Sequence, residues 1–203
     1  KKPCDIVASA DYFLINKLLI PGHASWGIRF ATNEIVIAFQ DRSRYSSVID
    51  SSNWMDILAR EDVTFARSDP DSDPCGYRSV ITLMLAEKHY GMPGLSDRLT
   101  SKNKEFIRPK EIDLVALVES NAVDYMFTYR SVAIQHNLSY IELPAEISLG
   151  DPDRNDFYGT VSVEVAGNSP GSRITIKGEY INYSLTVIDN AVNNEGAIDF
   201  VSF

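Results

Sequence analysis

The sequence predicts an α/β protein with mostly parallel sheets and helices on both faces. Strand-like and helix-like segments alternate from residue 6 to residue 143, which is the order that βαβ units produce. The segment at residues 33–39 (NEIVIAF) is almost continuously apolar, as expected of a strand buried on both faces. After Pro144, alternating β-branched residues at 159–165 and 173–187 flank a turn signal at 168–171, which indicates further β structure.

Residues that favour helix starts and stops bound the helices. Pro21 and Gly22 stop the first helix, Ser52 is the expected cap of the second, and Gly91 ends the third. The apolar side of the third helix is predicted to carry Tyr77, Val80, Ile81, Met84 and Leu85. The predicted helices lie at residues 10–19, 52–60, 75–90, 109–119 and 131–136. The predicted strands lie at residues 6–8, 33–39, 63–66, 105–107, 123–128 and 140–143.

The composition is that of an acidic globular protein. The 203 residues are 44% hydrophobic and carry a formal net charge of -9, which argues against nucleic acid and anionic membranes as partners. A small anionic ligand stays possible, because N–H groups in a pocket act at contact range while surface charges are screened. Cys4 and Cys75 leave both a disulfide and two free thiols open.

An acidic loop runs into the third helix in the segment SDPDSDPCGYRS, residues 68–79. Asp73 is a natural helix cap and Pro74 suits the first helical position. We expect the amides of Cys75, Gly76 and Tyr77 to point outward without partners, which would form an anion site. The adjacent carboxylate repels ordinary anions, so this site suits an oxyanion whose central atom accepts further oxygen ligands. A bare helix cap with nothing bound remains the simpler interpretation.

A calcium loop is a further interpretation of the same segment, and the spacing excludes it. Asp69, Asp71 and Asp73 occupy positions 1, 3 and 5 of such a loop. Position 6 should be glycine and position 12 glutamate, but Pro74 and Val80 stand there.

Two more polar residues follow predicted strands. Glu111 falls in the first turn of the helix that Pro109 opens, and Tyr129 falls at the end of the strand at 123–128. Ligands of open α/β sheets bind at such strand ends, so Asp73, Glu111 and Tyr129 are candidates for one site. A dipole-favoured glutamate and a core aromatic residue are the ordinary explanations.

Several blocks resemble one protein family in the same order over most of the chain, the archaeal-type tungstate/molybdate-binding proteins of ABC importers. The DPCGYR block is the specific part of the match. The blocks are Ser9-Ala10-Asp11-Tyr12, Phe30-Ala31-Thr32-Asn33-Glu34-Ile35-Val36, Ser72-Asp73-Pro74-Cys75-Gly76-Tyr77-Arg78-Ser79, Val118-Glu119-Ser120, Asp124-Tyr125 and Tyr129-Arg130-Ser131.

The resemblance implies a two-lobed periplasmic-binding-protein type II fold that captures tungstate or molybdate in an interlobe cleft. It further implies that Asp73 and Glu111 ligate the Mo or W atom and complete an octahedron with four oxo groups. Pro74, Cys75 and Tyr129 would line the oxyanion. Two carboxylates repel sulfate and phosphate, whose central atoms do not readily expand their coordination. The implied protein is not an enzyme, has no cofactor, and has ABC permease subunits in the membrane as partners.

The resemblance also implies a domain division and a location. Lobe one would comprise residues 1–34 and 160–203, and lobe two residues 35–159 with the carboxylate ligands. We expect lobe one to be incomplete, because the family's N-terminal segment and last helices have no counterpart in the chain. We expect an extracytoplasmic location, with membrane association through an anchor or signal outside the chain.

Two other functions remain as alternatives. A carboxylate-pair hydrolase such as a glycosidase would use Asp73 and Glu111 as acid and base. We expect the helix dipole to keep both carboxylates ionised, which disfavours a general acid. A sulfate- or phosphate-binding protein is disfavoured by the same two carboxylates.

Overall fold

The structure, a computed structural model, describes residues 3–10, 12–167, 169 and 171–203. The chain divides into two compact units: unit 1 comprises Lys1–Asn33 and Ile181–Phe203, and unit 2 comprises Glu34–Tyr180. The strands of the described residues are β1 (Ile6–Ser9), β2 (Ile28–Thr32), β3 (Ile35–Phe39), β4 (Phe65–Ser68), β5 (Ile107–Arg108), β6 (Tyr125–Tyr129), β7 (Ser139–Glu142), β8 (Ser162–Ala166), β9 (Arg173–Lys177) and β10 (Asn182–Val187). The α-helices of the same residues are α1 (Tyr12–Leu18), α2 (Trp54–Leu58), α3 (Pro74–Tyr90), α4 (Leu95–Ser101), α5 (Ile112–Glu119), α6 (Arg130–Gln135), α7 (Ala145–Ser148), α8 (Asn155–Tyr158) and α9 (Asn194–Ser202).

Unit 2 is built on a five-stranded sheet with the order β5-β4-β6-β3-β7. β4 pairs in parallel with β5 and with β6, whereas β3 pairs antiparallel with β6 and with β7. The sheet is therefore mixed, and the prediction of mostly parallel sheets is wrong in this respect. The apolar run of β3 does not specify direction, because a strand buried on both faces has the same pattern in either orientation. The β8–β9 hairpin and the β1-β10-β2 sheet of unit 1 are antiparallel throughout.

Helices cover both faces of the unit 2 sheet, as predicted. On one face, Leu114 and Val118 of α5 and Ala133 of α6 are buried against Met126 of β6. Each of these side chains is fully buried, and burial of this kind stabilises by about 1.5–3 kcal/mol for a large aliphatic side chain.

Aromatic residues fill the opposite face. Trp54 of α2 lies edge-on to Phe127 of β6 at 6.2 Å between ring centroids, and Phe65 of β4 lies edge-on to the same ring at 5.9 Å. α3 packs against β3, β4 and β6 on this side. The beginning of α3 is thereby fixed against the ends of the central strands, which is where the candidate site lies.

The division into units differs from the predicted lobes at Glu34, which lies in unit 2, and in one longer segment. Residues 160–180 were expected in lobe one, but they lie in unit 2. β8 packs against α3, and the Gly178 amide donates to the Val161 carbonyl at 3.0 Å. The alternating pattern of these strands identified them as β structure without indicating which surface they cover.

Several element boundaries also differ from prediction. Ser52 does not cap α2; Asn53 holds that position without a side-chain cap bond. The predicted strand at 105–107 is mostly a 3₁₀ turn, Lys104–Phe106, and α5 begins three residues later than predicted, with Glu111 at its cap position. Within α3, the buried residues include Ser79 and Thr82 as well as apolar ones. The predicted turn at 168–171 and residue 11 of the predicted first helix fall partly or wholly outside the described residues.

Candidate functional site

Asp73 joins the starts of two helices. It stands at the N-cap of α3, and Pro74 occupies the first helical position, as the sequence predicts. Its Oδ1 accepts a hydrogen bond from the Cys75 amide at 3.4 Å. Its Oδ2 accepts a shorter one, 2.7 Å, from the backbone amide of Glu111. A single carboxylate therefore fixes the start of α3 next to the start of α5.

The expectation of three unpaired amides at the start of α3 is wrong. The Gly76 and Tyr77 amides both donate to the carbonyl oxygen of Asp73, at 3.0 and 3.4 Å. Tyr77 lies four residues beyond the cap, so its amide is the first donor of the regular helical ladder and was never a free group. The Cys75 amide keeps only the long bond to the Asp73 side chain, so it is the amide that an anion could most readily engage.

Glu111 is held in place through one of its carboxylate oxygens. Its Oε1 accepts hydrogen bonds from the Thr128 hydroxyl and from the Tyr129 amide, the latter at 2.9 Å. Both donors lie at the end of β6, so the central sheet orients the Glu111 side chain. Asp73 holds the backbone of the same residue, and the charge of Asp73 acts on the Glu111 carboxyl, so the two carboxylates lie near each other at the strand ends.

Tyr129 is buried, with 9% of its surface exposed, and its hydroxyl accepts a hydrogen bond from Arg78 Nη1 at 2.7 Å. Arg78 lies in α3 and is itself 5% exposed. Burial raises the pKa of the Tyr129 hydroxyl well above its ordinary value, although the Arg78 cation acts in the opposite direction. Tyr129 is consequently a neutral phenol that links the second turn of α3 to the end of β6.

Burial dominates the electrostatics of the site. It raises the pKa of Glu111 above its ordinary value, and the nearby Asp73 charge adds to this, while the Thr128 and Tyr129 hydrogen bonds oppose it. This effect of burial acts against the expected stabilisation of the ionised carboxylate by the helix dipole. Burial, with the charges of Glu111 and Asp73, also raises the pKa of the Cys75 thiol well above its ordinary value, so Cys75 is a neutral, buried group.

The two carboxylates of the site carry negative charge, and the nearby Arg78 cation is bonded to the Tyr129 hydroxyl. Among the described residues, neither Asp73 nor Glu111 forms an ion pair. In the same part of the chain, no group of three or more His, Cys, Asp or Glu side chains is arranged to hold a metal ion. Two carboxylates alone suit a centre that brings most of its own oxygen ligands.

Gly76 explains how α3 comes so close to the end of β4. A Cβ atom at this position would lie 2.5 Å from the Asp69 carbonyl carbon and 2.6 Å from the Ser68 carbonyl oxygen. Both contacts are with backbone atoms, so no side-chain movement relieves them. The glycine in the DPCGYR block is therefore required by packing, and it allows Asp73 to reach Glu111.

The acidic loop is attached to the β8–β9 hairpin of the same unit. Asp71 Oδ1 accepts hydrogen bonds from the Ala166 amide at 2.8 Å and from Arg173 Nη1 at 2.9 Å. Asp69 instead stabilises the loop locally, through the Asp71 amide at 3.0 Å and the Ser72 hydroxyl at 3.0 Å.

Sequence reasoning placed Asp73, Pro74, Cys75, Glu111 and Tyr129 at one site, and the structure brings all five together in unit 2. It missed Thr128 and Arg78, which hold Glu111 and Tyr129. Arg78 belongs to the DPCGYR block, so its inclusion in the motif was the available signal. Thr128 gave no signal, because a threonine in a strand is ordinary.

The comparisons with known proteins are consistent with one another. A family model described as bacterial extracellular solute-binding protein matches residues 1–203. The chain is 47% identical over 206 residues to an uncharacterized solute-binding protein of Petrotoga mobilis, covering all of this chain and 63% of the relative. It is 46% identical over 225 residues to the molybdate/tungstate-binding protein WtpA of Thermococcus kodakarensis, covering all of this chain and 62% of the relative. The chain thus spans less than two thirds of the length of these curated relatives.

The fold is shared with solved structures at low sequence identity. The periplasmic molybdate-binding protein of Azotobacter vinelandii superposes with a TM-score of 0.63 at 19% identity, over 99% of this chain and 71% of that one. The sulfate-binding protein SubI of Mycobacterium tuberculosis gives the same TM-score of 0.63 at 14% identity, over all of this chain and 63% of that one. These likenesses show the periplasmic-binding-protein fold alone.

Proposed function

The chain belongs to the bacterial extracellular solute-binding protein family, and from that premise we propose that it binds tungstate or molybdate through Asp73 and Glu111. One observation carries the proposal. The Asp73 carboxylate accepts the Glu111 amide at 2.7 Å, and its charge acts on the Glu111 carboxyl, so two carboxylates that form no ion pair among the described residues lie near each other. The 46% identity to a protein named for molybdate and tungstate binding supports the same ligand class.

The carboxylates determine which oxyanions are accepted. Mo(VI) and W(VI) are hard centres that expand from four to six oxygen ligands, and one oxygen from each carboxylate would complete such a shell. Sulfate and phosphate offer no vacant coordination position, so they would meet only the repulsion of two negative charges. The Cys75 amide and the neutral Tyr129 hydroxyl are polar groups near enough to Asp73 and Glu111 to contact the oxo groups.

The ligand is cargo in this proposal, and the protein needs no cofactor and performs no catalysis. Members of the family are solute-binding proteins, and we extend this to delivery of the oxyanion to the permease subunits of an ABC transporter. The family description also supports an extracytoplasmic location. None of the described helices is long and apolar enough to cross a membrane.

Calorimetric titration with tungstate, molybdate and sulfate tests the proposal. The wild-type chain should bind tungstate or molybdate in preference to sulfate, and Asp73→Asn and Glu111→Gln should each weaken tungstate binding. Asp151→Asn is the matched control, because Asp151 also caps a helical turn, accepting the Asp153 amide at 2.9 Å, and is not a site residue. If the control weakens tungstate binding as much as the two site variants, the two carboxylates are not the ligands.

A further inference from the structure

A groove on unit 2 lies apart from the site just described. Its volume is about 840 Å³, within the range of small-molecule sites. α3, α4 and the strand β8 form its walls. The residues that line it include Arg67, Val80, Met84, Glu87, Lys88 and Val163. None of the five candidate oxyanion residues is among them.

Arg67 of β4 is the unusual residue in this groove. Only 6% of its surface is exposed. Its Nη2 donates to the carbonyl oxygen of Thr100 at 2.9 Å, which places the guanidinium at the α4 wall. Its Nε and Nη1 are buried and have no hydrogen-bond partner among the described residues, and no ion pair of the described chain includes Arg67.

An arginine in this state requires an explanation. Its guanidinium stays charged at all physiological pH values, so it cannot avoid the desolvation penalty by losing a proton. Burial accordingly lowers the pKa of Arg67, and only the charge of Asp69 acts in the opposite direction. Asp69 itself accepts hydrogen bonds from the Asp71 amide and the Ser72 hydroxyl. A buried cation with unused donors at a groove wall points to an oxygen acceptor that enters the groove.

The other charged residues of the groove limit the charge of that acceptor. Glu87 accepts the Ser96 amide at 2.9 Å, and Lys88 reaches the Thr160 carbonyl at 3.5 Å. With Asp97, the lining carries two acidic and two basic side chains, so it is formally neutral. A dianion would meet both acidic groups without a surplus of positive charge, whereas a monoanion on Arg67 would match its two unpartnered donors.

We propose that this groove binds a small amphipathic monocarboxylate, with its carboxylate on Arg67 and its apolar body along the groove. Val80 and Met84 of α3 and Val163 of β8 supply apolar lining for that body. Nε and Nη1 are buried, so the Arg67 side chain would turn toward the groove for the carboxylate to accept their N–H groups, which are donors suited to carboxylate oxygens. Apolar walls with a few placed polar groups are the usual composition of a small-molecule site.

Titration of the 203-residue chain with sodium octanoate tests the proposal, by calorimetry and by amide chemical-shift changes. Octanoate should bind and shift the amides around Arg67, and 1-octanol, which has the same chain without the charge, should bind at least about tenfold more weakly. Arg67→Met should lower the octanoate affinity at least about tenfold, while Arg98→Met, which changes an exposed arginine of α4 outside the groove, should leave it unchanged. Tungstate binding should be the same in all of these proteins, which separates this test from that of the proposed function.

Two additional measurements keep the proposal open to refutation. Replacement of a buried cation by an apolar residue of similar volume is often neutral or stabilising, so without octanoate Arg67→Met should melt no lower than wild type. Val163→Trp leaves Arg67 in place and fills the groove, and it should abolish octanoate binding even if Arg67→Met does not fold. The proposal is overturned if octanoate fails to bind, if it binds Arg67→Met or Val163→Trp as it binds wild type, or if inorganic phosphate displaces it at equal concentration.

Discussion

Asp73→Ala tests whether one carboxylate holds the two helix starts together. The change removes the bond from the Glu111 amide at 2.7 Å and the weaker cap bond from the Cys75 amide at 3.4 Å. A hydrogen bond to a charged acceptor contributes about 1.5–3 kcal/mol, and a lost cap costs about 1 kcal/mol. The expected destabilisation is about 2.5–4 kcal/mol, or a fall of about 5–15 °C in Tm for a chain of this size.

Thermal unfolding without ligand measures the global effect, and amide hydrogen exchange at Glu111 measures the local one. Asp151→Ala is the control, because Asp151 caps a turn through the Asp153 amide at 2.9 Å and pairs with Arg154 Nε at 3.9 Å, both of which are local contacts. It should lose only about 0.5–2 kcal/mol. If Asp73→Ala melts no lower than this control and the Glu111 amide keeps its protection, the link between α3 and α5 does not depend on Asp73.

Three further outcomes follow from the site. The double variant Asp73→Asn/Glu111→Gln should narrow the preference for tungstate over sulfate in competition calorimetry, since both repulsive charges are gone; unchanged selectivity would contradict the two-carboxylate model. The pKa of Glu111 is raised in the folded state, so the folded protein binds the carboxyl proton of Glu111 more tightly than the unfolded chain does. The stability of wild type relative to Glu111→Gln should therefore fall as pH rises from ~4 to ~8 in ligand-free urea titrations. A rise in this relative stability would show that the hydrogen bonds to Glu111 outweigh its burial. Gly76→Ala should destabilise unit 2 by more than about 3 kcal/mol in urea unfolding, because the added Cβ would lie 2.5 Å from a backbone atom. Gly22→Ala is the control and should have little effect, because nothing lies within 4 Å of its added Cβ. Equal unfolding midpoints for the two variants would refute the packing argument.

The backbone preferences of neighbouring residues were sufficient to predict where the helix α3 begins and ends. The cap at Asp73, the proline in the first helical position and the helix end at Gly91 follow from backbone preferences that act over a few residues, and all three are confirmed. Asp73, Glu111 and Tyr129 were grouped for a related reason, since strand ends of an α/β sheet meet at one edge. Pro74 and Cys75 were added with the resemblance, and the role of all five in ligand binding stays a prediction.

Those preferences do not predict contacts between residues that are far apart in the sequence. The bond between Asp73 and the Glu111 amide spans 38 residues, and the bond between Arg78 and Tyr129 spans 51. Nothing in a helical or strand period specifies such a partner. Strand direction was missed for the same reason, because the pattern of β3 records burial and contains no information about its neighbours.

The three aspartates of the acidic loop are alike in sequence, yet they would differ in mutational tolerance. Asp69 closes a turn, Asp71 fastens the loop to the β8–β9 hairpin through Ala166 and Arg173, and Asp73 fixes Glu111. Only Asp73 belongs to the candidate binding site, but a change at Asp71 would release the loop that carries it. In a library of loop variants, the loss of ligand binding would therefore depend on which aspartate is replaced. The number of acidic residues left in the loop would be a poor predictor of that loss.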